Sequence, residues 1–155
     1  MEFRIMTYNI YGARLADGKK LAKSIKKYKP DFVALQEVDK NTKRSNFRDV
    51  TQDFALELGY NYYYFQKAMD FDKGEFGIAF VSKYDVKNIY VHELPSAGNE
   101  KRQVLATQIS SKYKKHILVI NTHLDYEPTV KSTQIDDLMT VIDYFKGDVK
   151  FLCGD

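Results

Sequence analysis

The amino-acid sequence predicts an α/β fold with a mixed sheet, and three observations carry that prediction. Short β-branched and aromatic runs recur along the chain, among them FRIMTYNI at 3–10, FVAL within 31–36 and HILVI at 116–120. Two of these runs lead into segments with helical apolar spacing, as βαβ units require. Between them lie several strands in succession with no helix to separate them, which a purely parallel sheet would not allow. No internal repeat, low-complexity tract or linker interrupts the sequence, so residues 1–155 read as a single domain.

Residues 3–10 form the first strand. Lys19 to Lys29 read as a helix with Leu21, Ala22, Ile25 and Tyr28 on one face, stopped by Pro30. Asp31 to Gln36 contain a buried strand, and the polar stretch Val38 to Arg48 reads as a loop. Asp49 can cap a helix that buries Val50, Phe54 and Leu58 and ends at Gly59. Strands follow at Tyr60 to Gln66, Phe76 to Ser82 after the break at Gly74, Val86 to Glu93 and Gln103 to Ser110. Ser111 to Lys115, with Lys112, Lys114 and Lys115, read as a solvated turn into the strand His116 to Ile120. Beyond Pro128, the residues Ile135, Leu138, Met139, Ile142 and Phe145 mark the core face of a helix ended by Gly147, and Val149 to Cys153 open a last strand. Tyr62 to Tyr64 read as strand packing, and Cys153 as a small core residue.

Composition narrows the function. A hydrophobic share of 44% is that of a globular chain, so disorder is not the expectation. The formal net charge of +3 spreads over nearly balanced acidic and basic residues, which argues against a dedicated nucleic-acid clamp. One cysteine rules out an internal disulfide, and no apolar run has the length of a membrane-spanning helix. The first ten residues read as a strand and not as a signal peptide. The expected location is therefore cytoplasmic if Met1 is the native start, and secreted if a signal peptide was removed.

Chemistry gathers where strands end. FRIMTY delivers Asn9, FVALQ delivers Glu37, HILVI delivers Asn121, His123 and Asp125, and VKFLC delivers Asp155. In α/β folds the ends of strands are where ligands and catalytic groups collect. If these ends point one way, an amide, carboxylates and an imidazole meet in a cleft. Such oxygen donors suit a hard divalent ion, Mg²⁺ or Mn²⁺, which needs only one or two carboxylates and keeps several waters. A histidine beside it can protonate or hydrogen-bond a phosphoryl oxygen, and a carboxylate can orient or deprotonate a water. No Cys/His cluster points to zinc.

These residues also resemble a known family. Thr7-Tyr8-Asn9-Ile10 is similar to the opening motif of the endonuclease/exonuclease/phosphatase (deoxyribonuclease-I-like) family. Pro30-Asp31 with Ala34-Leu35-Gln36-Glu37-Val38 resembles its second motif. Gly77-Ile78-Ala79-Phe80-Val81-Ser82-Lys83 resembles its glycine-led strand, with Ile78 in place of the usual asparagine. Asn121-Thr122-His123-Leu124-Asp125 resembles the catalytic-histidine motif, and Gly154-Asp155 the first half of a Gly-Asp-Phe-Asn motif. The stretch Asp39, Asn41-Thr42, Arg44-Ser45 and Asp49 resembles a loop common among small bacterial members.

The resemblance implies a four-layer α/β sandwich, two mixed sheets flanked by helices. It implies that the chain is incomplete at the C-terminus, since the rest of the Gly-Asp-Phe-Asn motif and a terminal Ser-Asp-His would follow Asp155. Glu37 would hold the metal, Asn9 would position the phosphate, His123 would contact the scissile phosphate, and Asp155 would activate water. Asn121 and Asp125 belong to the same catalytic motif. Arg102 and Arg44 would contact substrate phosphate, Glu75 would orient His123, and Gln134 is a further candidate. The expected activity is metal-dependent phosphoester hydrolysis, by a phosphodiesterase, nuclease or phosphatase, on a nucleic acid or a small phosphorylated molecule. The alternatives are an inactive fragment and a non-catalytic phosphate or nucleic-acid binding module on the same fold.

Overall fold

The computed structural model describes residues 2–110 and 115–155. Most of the turn expected at 111–115 lies outside the described residues. The chain forms two four-stranded sheets. The first has the order β1-β2-β4-β3, from β1 (Ile5–Asn9), β2 (Phe32–Lys40), β3 (Tyr62–Phe71) and β4 (Gly74–Ser82). The second has the order β5-β6-β7-β8, from β5 (Val86–Glu93), β6 (Gln103–Ser110), β7 (His116–Thr122) and β8 (Val149–Gly154). Each sheet has one parallel pair, β1 with β2 and β7 with β8, and the remaining pairs are antiparallel. A helix makes each parallel crossover, as the geometry demands. These are α1 (Gly18–Ile25) and α3 (Pro128–Tyr144), while α2 (Val50–Leu58) joins the first sheet's outer layer.

Three apolar layers hold the sandwich. Val33, Leu35 and Val81 meet Leu21, Ile25 and Phe54 on the outer face of the first sheet. Phe32, Ala34 and Phe80 meet Leu105, Ile109 and Val119 between the sheets. Leu118 and Ile120 meet Leu138, Val141 and Phe145 under α3. Alternate residues of FVAL therefore serve two different cores, which is why that run is apolar throughout. Tyr64 stacks on Phe80 across the strands, so this part of the tyrosine run is packing.

Helix ends follow their caps. Asp17 accepts from Lys20 N–H at 2.8 Å to open α1, and Asp49 accepts from Gln52 N–H at 3.1 Å to open α2, which Gly59 closes in the left-handed region. Four expectations change. The first helix stops at Ile25 and passes into a 3-10 turn, Lys26–Tyr28, before Lys29 reverses in the left-handed region. β2 runs on to Lys40 where a loop was expected from Val38, because a bulge between Leu35 and Val38 returns Val38 and Asp39 to buried positions. β3 continues past Gln66 to Phe71 through a second bulge between Lys67 and Met69. Opposite it, a Cβ on Gly77 would come within 1.9 Å of the Gln66 carbonyl oxygen, so the hairpin needs glycine there.

The fourth correction concerns α3. Ile135 and Met139 are 42% and 53% exposed, and the core side is Gln134, Leu138 and Val141, followed by Phe145 just past the helix. Leu138 and Phe145 are buried as expected and Ile142 packs partly buried against the same core, so the stripe is turned by about one residue toward Gln134 and Val141, a turn that apolar spacing alone does not choose. Gln134 chooses: its Oε1 accepts from Asp125 N–H at 2.8 Å and its Nε2 donates to the Pro95 carbonyl at 2.7 Å.

Cys153 packs partly buried against the inter-sheet layer, and burial pushes its thiol above the ordinary range. Its alkylation by iodoacetamide at pH 8 is expected to be slower than that of a cysteine in an unstructured peptide, and to reach the peptide rate in denaturant. Equal rates in the folded protein would contradict this burial.

Candidate active site

The site is assembled from the ends of four strands. β1 ends at Asn9, in register with Gln36 of β2, and Glu37 follows at the β2 bulge. Regular alternation would send Glu37 into the same core as Val33 and Leu35. The bulge gives that place to Val38, and Glu37 is left half-buried with a φ of 53°. A non-glycine residue in this region costs about 1–3 kcal/mol and must be held by its surroundings. Here the Glu37 carbonyl accepts from Gly12 N–H at 2.7 Å, and the Gln36 carbonyl from Ile10 N–H at 3.1 Å. The turn after β1 is itself left-handed at Tyr11 and Gly12, with Asn9 Oδ1 accepting from Tyr11 N–H at 3.0 Å.

From the other sheet, Asp155 meets Asn9. Asn9 Nδ2 donates to Asp155 Oδ2 at 2.8 Å, joining the end of β1 to the end of β8. The Asp155 backbone is tied to the histidine loop: its N–H donates to Thr122 O at 3.2 Å and its carbonyl accepts from Leu124 N–H at 2.9 Å. A Cβ on Gly154 would lie 2.1 Å from the Thr122 carbonyl oxygen, so only glycine allows this approach.

His123 stands next in that loop. Its Nδ1 lies 3.6 Å from Glu100 Oε1, too far for a hydrogen bond, and is buried without another partner. Glu100 also pairs with Arg102 Nη1 at 3.1 Å, and Arg102 donates to the His123 carbonyl at 3.5 Å. Arg102 is buried and its Nε has no hydrogen-bond partner. The result is a carboxylate held between an imidazole and a guanidinium.

Other sequence-derived candidates occupy different places. The acidic neighbour of His123 is Glu100; Glu75, expected in that role, faces Lys67 Nζ at 3.8 Å on the β3–β4 hairpin. Asn121 is 1% exposed, with its side chain wholly engaged inside the sandwich. Its Nδ2 donates to Leu35 O at 3.0 Å and Ala79 O at 2.9 Å, and its Oδ1 accepts from Gln36 Nε2 at 2.7 Å. It bolts the second sheet to the first directly beneath the bulge that displays Glu37. Asp125 closes a local turn, its Oδ1 accepting from Glu127 N–H at 2.9 Å ahead of α3.

Arg44, expected on phosphate, forks onto Asp39, with Nε to Oδ2 at 2.6 Å and Nη2 to Oδ1 at 2.7 Å. Its guanidinium also lies over the Phe71 ring at 4.5 Å. The hydrogen bond to Asp39 raises the Arg44 pKa above its usual value against the opposing effect of burial, with Asp39, Asp72 and Glu37 adding charge. Arg44 thus braces the loop behind Glu37, because a fully buried Asp39 needs that charge.

Sequence reasoning missed Glu100 and the buried pair Gln36–Asn121. A glutamine ending the apolar run FVAL was the available signal for the second; for Glu100 only its closeness in sequence to Arg102 was legible. A cleft of about 740 Å³, lined by Gln66, Lys67, Glu93, Lys101 and Gln103 among others, opens on the side of the sandwich. Volume would favour it, but Asn9, Glu37, His123 and Asp155 do not line it, and convergent chemistry outweighs size here.

Two sheets packed face to face between helices, with acid, amide and imidazole at their strand ends, define a phosphoester-hydrolase type of fold. The chain belongs to the endonuclease/exonuclease/phosphatase family, whose model matches residues 6–154. No curated protein sequence matches it significantly. Among solved structures it is similar to an endonuclease/exonuclease/phosphatase from Beutenbergia cavernae DSM 12333, with 23% identity and a TM-score of 0.75 over 97% of this chain and 46% of that one. A family protein from Leptotrichia buccalis C-1013-b shares 17% identity and a TM-score of 0.74 over 97% of this chain and 66% of that one. A mannosyl-6-phosphatase from Bacteroides thetaiotaomicron VPI-5482 shares 16% identity and a TM-score of 0.67 over 99% of this chain and 65% of that one. At these identities the likeness is one of fold. The chain spans between about half and two thirds of the length of these neighbours.

Proposed function

We propose that the protein hydrolyses phosphoesters with the help of a divalent ion, Mg²⁺ or Mn²⁺. The observation that carries the reading is the Asn9–Asp155 hydrogen bond, which joins the two sheets one register position from the displayed Glu37. Among the described residues no group of three His, Cys, Asp or Glu side chains is arranged as a metal cluster. A magnesium-type ion does not require one, since one or two carboxylates and water complete its shell. The donors present, Glu37 with Asp155 and Asn9 nearby, are hard oxygens of the kind it takes. Glu37 would hold the ion, whose contribution when bound is to polarise a phosphoryl oxygen and stabilise charge on the leaving oxygen.

The chain's own residues supply the remaining work. Asn9 fixes one oxygen of the Asp155 carboxylate, and Asp155 orients the attacking water. His123 hydrogen-bonds or protonates a phosphoryl oxygen, with the Glu100 carboxylate 3.6 Å from its Nδ1 and Arg102 adding positive charge beside it. The substrate is a phosphomonoester or phosphodiester, on a nucleic acid or a small phosphorylated molecule.

The test pairs a binding and a kinetic readout. Mn²⁺ binding, followed by electron paramagnetic resonance, and hydrolysis of p-nitrophenyl phosphate and bis-p-nitrophenyl phosphate are compared for the parent and Glu37→Gln. The expected result is metal-dependent turnover, lost with EDTA, and a Glu37→Gln variant with affinity for Mn²⁺ reduced by at least about 10-fold, since losing a direct ligand costs no less than losing an outer-shell partner. Mn²⁺ binding that ignores Glu37 would overturn the assignment. Binding without turnover would leave a phosphate-binding module in its place.

A further inference from the structure

Gln103 opens β6 and is only 6% exposed, yet its side chain makes no hydrogen bond among the described residues. Its Oε1 is buried without a partner. Its backbone carbonyl, by contrast, accepts from Thr122 Oγ1 at 2.9 Å. A buried amide left unbonded costs stability, so its presence calls for a partner that the fold itself does not supply. Leu105, two residues on, packs between the sheets, and alternation along β6 puts Gln103 on that same face. There it borders the cleft of about 740 Å³, with Gln66 and Ala68 of β3 on the other sheet. Lys101 N–H donates to the Ala68 carbonyl at 3.1 Å and ties the two walls together.

This cleft shares a wall with the candidate active site. Along residues 100–103 the side chains divide between the two. Glu100 lies 3.6 Å from His123 Nδ1, and Arg102 donates to the His123 carbonyl at 3.5 Å. Lys101 and Gln103 line the cleft. A phosphate held at His123 therefore has the cleft beside it for the group that the phosphate is esterified to.

We propose that the cleft binds the uncharged, hydroxylated part of a small phosphorylated substrate, a sugar or other polyol, and that Gln103 hydrogen-bonds it. The position of the phosphate rests on the hydrolase reading; the polyol class rests on the lining of the cleft. Both lysines there are already neutralised, Lys67 by Asp70 at 2.6 Å and Lys101 by Glu93 at 3.1 Å, so no net charge remains to select an ionic group. Among the described residues no aromatic ring lines the cleft, so a nucleobase finds no stacking platform. What remains is a wall of mixed hydrogen-bonding groups. The amides of Gln66, Asn99 and Gln103 both donate and accept, the carboxylates accept and the ammonium groups donate. A hydroxyl also does both, so a group carrying several neighbouring hydroxyls matches this wall.

The experiment is a ¹H–¹⁵N titration of the 155-residue chain in EDTA, with glucose 6-phosphate and phenyl phosphate as probes. The two share the phosphate and differ in the group it carries. Glucose 6-phosphate is expected to bind more tightly, and to shift the side-chain amide signals of Gln103 and Asn99. Gln103→Leu is expected to weaken glucose 6-phosphate by about three- to tenfold, and phenyl phosphate by less. Because that amide has no partner in the fold, the same variant is expected to melt at or above the parental temperature. Asn99→Ala, at an exposed position, is expected to weaken the same probe without affecting the fold. Equal affinity for the two probes, sugar-phosphate binding that neither substitution alters, or a Gln103→Leu protein that melts below the parent would each overturn the proposal. Metal-dependent hydrolysis of phenyl phosphate with no preference for glucose 6-phosphate would sink the polyol site alone. A Gln103-dependent preference in EDTA, in a protein that hydrolyses neither probe with metal, would keep the site and sink the hydrolase reading.

Discussion

Replacing His123 by alanine is expected to lower metal-dependent phosphoester turnover by about 10²–10⁴-fold, the range for removing a positioned acid or base. The change should appear in kcat more than in KM, because the ring acts on charge that develops in the transition state. Little of the fold depends on the ring. Its Nδ1 makes no hydrogen bond, and the Arg102 contact in this loop reaches the His123 carbonyl, which alanine retains. The melting temperature should therefore move far less than the rate. Glu100→Gln keeps the shape beside Nδ1 and removes the charge at 3.6 Å, so it is expected to lower turnover by less than His123→Ala. A His123→Ala protein with parental turnover would remove His123 from the mechanism.

Asn121→Leu is expected to cost on the order of 3 kcal/mol of stability, because it strips donors from two buried carbonyls and an acceptor from a buried amide. Leucine keeps the branched outline of asparagine but is bulkier, so overpacking at this buried position adds to the loss of the polar bridge. For a domain of this size that is about a 10 °C fall in melting temperature, measurable by circular dichroism. Asn121→Asp should be worse, since it sets a buried charge against the Leu35 and Ala79 carbonyls in place of a donor. A fall of under about 2 °C for Asn121→Leu would mean that the sheets are held by apolar packing alone. The consequence for function is positional: the bridge sits under the bulge, and loosening it frees Glu37 from its left-handed conformation.

Much of this was readable from the residues. The strands at 86–93 and 103–110 and the cap at Asp49 were legible, because β-branched runs and capping side chains act locally. The motif order pointed to the family, and the polar residues at strand ends pointed to one end of the sandwich. Gly77 and Gly154 were visible as motif glycines, but their reason is a carbonyl oxygen brought close by another segment. The 38–48 stretch misled because its polarity is that of a loop, whereas Asp39 is fully buried against Arg44.

What the sequence by itself determined is the kind of protein: an α/β chain of the endonuclease/exonuclease/phosphatase family, with carboxylate, amide and imidazole groups at the ends of its strands. Periodicity, caps and motifs are properties of neighbouring residues, so they survive without coordinates. Only the tertiary structure decided which of those groups meet. It gave Glu100 the place expected for Glu75, turned Arg44 onto Asp39, buried Asn121 and brought Asn9 to Asp155. Each decision is a contact between segments distant in the chain. Such contacts depend on bulges and sheet stacking, because one residue of slip in a strand sends every following side chain to the opposite face.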